Sequence, residues 1–142
     1  MSVAFGRTGL SPGQAVGIDA ALIAAVVDAF YARVREDEML GSIFEEAVSD
    51  WPSHLQRLRM FWMSVVLMTG DYKGQPLRAH FGLPLLTDEH FQRWLDLFQT
   101  TVDALCSPSQ AEVFMVRAYR IADSFRFGLA AHRGEVAQPL SR

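Results

Sequence analysis

A chain of 142 residues, half of them hydrophobic and one fifth charged, is long enough for one domain with a buried core and too apolar to be disordered. A formal net charge of −3, with no basic cluster and no phosphate-cradling glycine motif, argues against a nucleic-acid partner. Cys106 is the single cysteine, so an intramolecular disulfide and a zinc–cysteine cluster are excluded, and a soluble protein of a reducing compartment, the cytoplasm, is expected.

Residues 1–18 are rich in glycine and small side chains and read as a mobile leader, without the apolar run of a signal peptide. Asp19 reads as the N-cap of a helix ending near Asp37, with Leu22, Val26, Phe30 and Val34 in one apolar stripe. The segment from Leu40 to Phe44 is short and is expected to form one tight turn. Ser49 or Asp50 caps a second helix, with Trp51 and Pro52 in its first turn. Its inward residues should be Leu55, Leu58, Phe61, Trp62, Val65 and Val66, and Gly70 should end it. The most apolar stretch, Met60 to Met68, is broken by Ser64 and falls far short of the roughly 20 residues a membrane helix needs.

Thr87 opens a third long helix with Phe91, Trp94, Leu95, Phe98 and Val102 on its apolar face. Ser107 and Pro108 open a fourth, in which Val113, Val116, Tyr119, Ile121 and Phe125 are expected to be buried. Residues 19–133 are therefore read as one all-α domain, and 134–142 as a loose tail. Strand alternation is not seen.

Between the second and third helices lies GDYKGQPLRAHFGLP, Gly70 to Pro84, with three glycines and two prolines around His80. A histidine there can cap a helix, pack as a neutral group or bind a metal. A di-iron helical bundle needs more than the four histidines present, set four residues before Glu or Asp, and none of the four is so placed. A haem iron asks for one imidazole, an apolar slot and chosen polar groups opposite. The geometry allows His80 and His54 to face one another: about sixteen helical residues climb roughly 24 Å, and the ten from Gly70 to His80 reach back at most ~35 Å.

The pieces FYARVRED at 30–37, LGSIF at 40–44, WPSH at 51–54, FW at 61–62, GDYKGQPLRAH at 70–80 and HFQRWL at 90–95 resemble the truncated haemoglobins, and within them the third, or P, group. They run in the family's order over residues 20 to 130. The resemblance implies a two-over-two helical sandwich holding haem b, with the proximal histidine on a mostly extended segment.

By the same resemblance His80 is the proximal iron ligand, and Tyr31, His54 and Trp94 are the distal polar residues. Tyr31 can donate to a bound diatomic ligand, Trp94 is donor-only, and His54 can gate, hydrogen-bond or coordinate. Leu58 would form an apolar wall of the pocket and Phe44 would stack on the porphyrin. Arg57 and Arg78 are candidates to pair with the propionates. The implied activity is binding of dioxygen and related diatomic ligands. The alternatives are a haem redox enzyme, peroxidase-like or oxidising nitric oxide with a separate reductase, and a helical interaction module without a cofactor.

Overall fold

The structure is a computed structural model and describes residues 10–68 and 86–140. Among these residues there are six helices and no strand: α1 (Pro12–Ala15), α2 (Ala20–Glu36), α3 (Gly41–Ala47), α4 (Trp51–Val66), α5 (Asp88–Leu105) and α6 (Pro108–Arg133).

The helix starts follow from local chemistry. Asp19 Oδ1 accepts from Leu22 N–H at 2.8 Å, and Asp50 Oδ1 accepts from Ser53 N–H at 3.2 Å. Ser107 and Gln110 form a reciprocal capping box ahead of Pro108. At α5 the partner of Thr87 is His90, whose Nδ1 accepts from the Thr87 N–H at 2.9 Å. Gly134, with φ 76°, closes α6 in the left-handed region. Helix α4 ends at Val66, earlier than the sequence pattern suggests, because Met68 itself takes a left-handed φ of 58°. Gly70, expected to end α4, lies outside the described residues.

Helix α2 packs on α4 and α5, α5 lies along α6, and α4 also meets α6. Two helix pairs thus stack on one another, the two-over-two sandwich. At its centre Phe98 is fully buried, stacked on Trp62 at 5.0 Å and on Trp94 at 5.8 Å, with Phe30 and Phe114 edge-on. Four helices are therefore joined through one aromatic cluster, whose pairs each add about 0.5–1.5 kcal/mol beyond area burial.

Several expectations are corrected. The Leu40–Phe44 turn extends into a seven-residue helix, Gly41–Ala47. Asp37 makes this possible, since its Oδ2 accepts from the N–H groups of Met39 and Leu40 at 3.0 Å each. On α6 the buried stripe is Ala111, Phe114, Met115, Ala118, Ala122, Arg126 and Leu129, while Val113, Val116, Tyr119, Ile121 and Phe125 are half-buried. Small alanines let α5 approach closely, so the true contact face carries less bulk than its flank. On α4 only Trp62 and Val66 are buried, and Leu55, Leu58, Phe61 and Val65 stay half-covered.

The ends of the domain are also better tied than their composition suggests. Residues 10–18, assigned to the mobile leader, include α1, capped reciprocally by Ser11 and Gln14, and a buried Ile18. Gly13 lies so close to α4 that a Cβ there would meet Val66 Cγ1 at 2.4 Å. The Gln110 amide donates to Val16 O at 3.2 Å. In the tail, Arg126 donates to Gln138 O at 2.6 Å and Leu140 N–H to Asp123 Oδ1 at 3.1 Å, so residues 134–140 are held to α6.

Candidate functional site

One end of the sandwich collects polar aromatic side chains from three helices. Tyr31, on α2, is 5% exposed, because α2 turns its Phe30 and Val34 inward and Tyr31 follows on the same broad face. The Tyr31 ring stands 5.8 Å from Phe44 on α3, and 6.2 Å from Trp51 and 6.1 Å from His54 on α4. Trp51 and His54 occupy successive turns of α4 and meet nearly perpendicular at 5.6 Å.

Trp94 on α5 approaches Tyr31 from the other side. Its ring packs edge-on against Phe30 at 5.5 Å, and its indole lies near enough to the Tyr31 hydroxyl to act on it as a donor. Burial pushes the Tyr31 pKa well above the usual phenol value, and the nearby Trp94 donor offsets only part of that rise. The phenol is therefore protonated throughout the physiological range. Since an indole only donates, Trp94 can serve a lone pair of the Tyr31 oxygen but cannot take the phenolic proton, which is left to be donated elsewhere.

Of the other residues singled out in the sequence, Leu58 is half-buried against the core, on the same helix as His54. Arg57 is exposed, and its guanidinium donates to Ser53 Oγ at 3.0 Å. His80 and Arg78 lie outside the described residues. The structure thus brings Tyr31, His54, Trp94 and Phe44 together and keeps Arg57 at the surface.

Two parts of this site were not singled out in the sequence. Trp51 passed as an ordinary first-turn residue, although its spacing of three from His54 puts both on one helix face. The other is a latch: the buried carboxylate of Asp37 accepts from Arg93 Nε at 2.7 Å, tying the α2–α3 corner to the residue that precedes Trp94. The Arg93 bond, with the two backbone donors, holds the Asp37 pKa below the ordinary carboxylate value despite its burial.

The profile of the bacterial-like globin family matches residues 14–124. The chain belongs to that family. It is 35% identical over 116 residues to a group 3 truncated hemoglobin of Campylobacter jejuni, covering 79% of this chain and 91% of the relative. The crystal structure of the group III truncated hemoglobin from Campylobacter jejuni superposes with a TM-score of 0.74 at 36% identity, over 81% of this chain and 94% of that one. The 2/2 hemoglobin of Synechococcus, solved in the cyanomet state with covalently attached heme, shares the fold at a TM-score of 0.66 and 22% identity, over 84% and 97% of the two chains. This globin is accordingly of the group III truncated type, and its membership implies haem binding.

The residues present fit such a group. The half-covered apolar side chains of α4, Leu55, Leu58 and Phe61 among them, offer the face a flat macrocycle needs. Beside them the buried Trp51 Nε1 is a donor with no acceptor among the described residues. Among those same residues no cluster of three His, Cys, Asp or Glu side chains could hold a metal ion.

Proposed function

We propose that this globin holds haem b through His80 and takes dioxygen or a related diatomic ligand on the side formed by Tyr31, His54 and Trp94. The observation that carries the reading is the convergence on one place of the buried Tyr31, 5% exposed, with His54 at 6.1 Å and the Trp94 indole beside it. When bound, haem b supplies an iron centre with one coordination position open to a small ligand. The assignment of His80 rests on the GDYKGQPLRAH motif, and Arg78 beside it is a candidate for a propionate.

The chain's own residues then do the following. Tyr31 donates to the ligand oxygen that carries partial negative charge, and Trp94 fixes the phenol. His54, half-buried beside Tyr31, stands where it admits or retains the ligand. Phe44 and Leu58 supply apolar contact that keeps water from competing. Arg57 donates one N–H to Ser53 and keeps further donors that can serve a propionate.

Each hydrogen bond to a charged acceptor is worth roughly 1.5–3 kcal/mol, so two of them slow ligand release about a hundredfold or more. That favours a slow-release function over oxygen delivery. The same donors stabilise charge on a departing oxygen, so a redox enzyme fed by a separate reductase is the second reading. No helix among the described residues is long and apolar enough to cross a membrane, and the proposed setting is the cytoplasm. The test is the release rate of dioxygen from the haem-loaded protein and from Tyr31→Phe. Faster release in the variant supports the reading, and an unchanged rate overturns the distal assignment.

A further inference from the structure

Trp51 carries the one buried side-chain nitrogen or oxygen among the described residues that lacks a hydrogen-bond partner. A buried donor left without an acceptor is costly and calls for an explanation. The Trp51 ring is fixed from outside: the Arg35 guanidinium lies over it at 4.4 Å, and Arg35 is itself paired with Glu45 of α3 at 2.9 Å. From inside it meets Tyr31 at 6.2 Å and His54 at 5.6 Å. The indole is therefore held between α2 and its own helix, under an arginine pinned by α3, with its N–H in the interior and next to two residues already placed on the ligand side.

The partner this N–H awaits has to be an acceptor, because an indole cannot receive a bond. We infer that Trp51 is a further ligand-binding residue, whose N–H donates to the oxygen of a diatomic ligand held beside Tyr31 and His54. This rests on the haem-globin reading above. A porphyrin carboxylate is the competing acceptor. The ligand is favoured because the ring neighbours of Trp51 are Tyr31 and His54, whereas of the two arginines on the same helix Arg57 is exposed and turned to Ser53 and Arg59 is paired with Asp28.

Trp51→Phe keeps an aromatic ring at the position and removes the N–H together with part of the indole's bulk. In the carbon monoxide complex of haem-loaded protein, the variant should raise the C–O stretching frequency, because less positive charge then faces the ligand oxygen. Dioxygen release should speed up about tenfold, as the loss of one such bond predicts. Haem transfer to an excess of a scavenging apo-globin should keep its wild-type rate. In ¹⁵N-labelled wild-type protein, which avoids any question of folding, the Trp51 indole N–H resonance should move on carbon monoxide binding. An unmoved stretch and an unmoved resonance overturn the inference, and faster haem transfer alongside them assigns the N–H to a porphyrin carboxylate. If the wild-type protein gives no Soret band with haem, the underlying reading falls as well. A normal band with an unmoved stretch sinks the Trp51 assignment alone.

Discussion

Arg93 Nε donates to Asp37 Oδ1 at 2.7 Å, joining the corner after the Tyr31 helix to the residue immediately before Trp94. The Asp37 side chain is only 2% exposed, and its other oxygen holds the backbone of Met39 and Leu40, where α3 begins. One carboxylate thereby sets the positions of three elements that converge on the site.

Asp37→Ala removes those bonds together and should lower unfolding stability by about 2 kcal/mol, read from urea denaturation. The folded-state pKa of Asp37 is depressed, so the stabilisation is fully present above the unfolded value of about 4 and is lost as pH falls through the lower folded value. The stability gap between wild type and Asp37→Ala should hence be constant near neutrality and close in acid. A gap that widens on acidification would contradict the assigned sign.

Trp94→Phe keeps an aromatic ring on Phe98 and removes the indole donor beside the Tyr31 hydroxyl. It should speed dioxygen release about tenfold, and Tyr31→Phe by at least as much. Peroxide turnover measured on the same three proteins separates the readings. An enzyme loses turnover with the donors, whereas a binder shows little turnover to lose.

Gly13→Ala places a Cβ within 2.4 Å of Val66 Cγ1 and 2.8 Å of Val66 O, which α4 cannot yield without shifting. The expected loss is about 1–3 kcal/mol, measured as a lower denaturation midpoint. Gly17→Ala should also cost stability, but from its φ of 82° rather than from crowding. A neutral Gly13→Ala would mean that α1 is not docked on α4.

Arg126 is 4% exposed at its side chain, grips Asp88 through two bonds of 2.9 Å and reaches Asp123 and the Gln138 carbonyl. Arg126→Lys keeps the charge and loses the fork, so residues 134–140 should become more open to limited proteolysis. An unchanged cleavage pattern would show that the tail is held by other contacts.

Much of this fold is legible in the sequence because its cues are local. The caps at Asp19, Asp50 and Ser107 and the four-residue spacing on α2 need no tertiary partner to be read. The buried stripe of α6 escapes such a reading, since alanines at 111, 118 and 122 are buried by the closeness of α5 and not by their own hydrophobicity. Tyr31, Phe44, His54 and Trp94 are visible as motif residues, and their convergence is a fact of tertiary structure. Trp51 and the Asp37–Arg93 latch are missed for the same reason: each acts through a partner distant in the chain.

The central claim is a haem held by His80 with a small-ligand position opposite, and one absorption spectrum of the reduced, haem-loaded protein tests it most directly. Wild type should show a five-coordinate ferrous Soret band that shifts on adding carbon monoxide, while His80→Ala should bind haem weakly or lose it. A wild-type protein with no Soret band after haem addition, or a His80→Ala spectrum identical to wild type, would contradict the account.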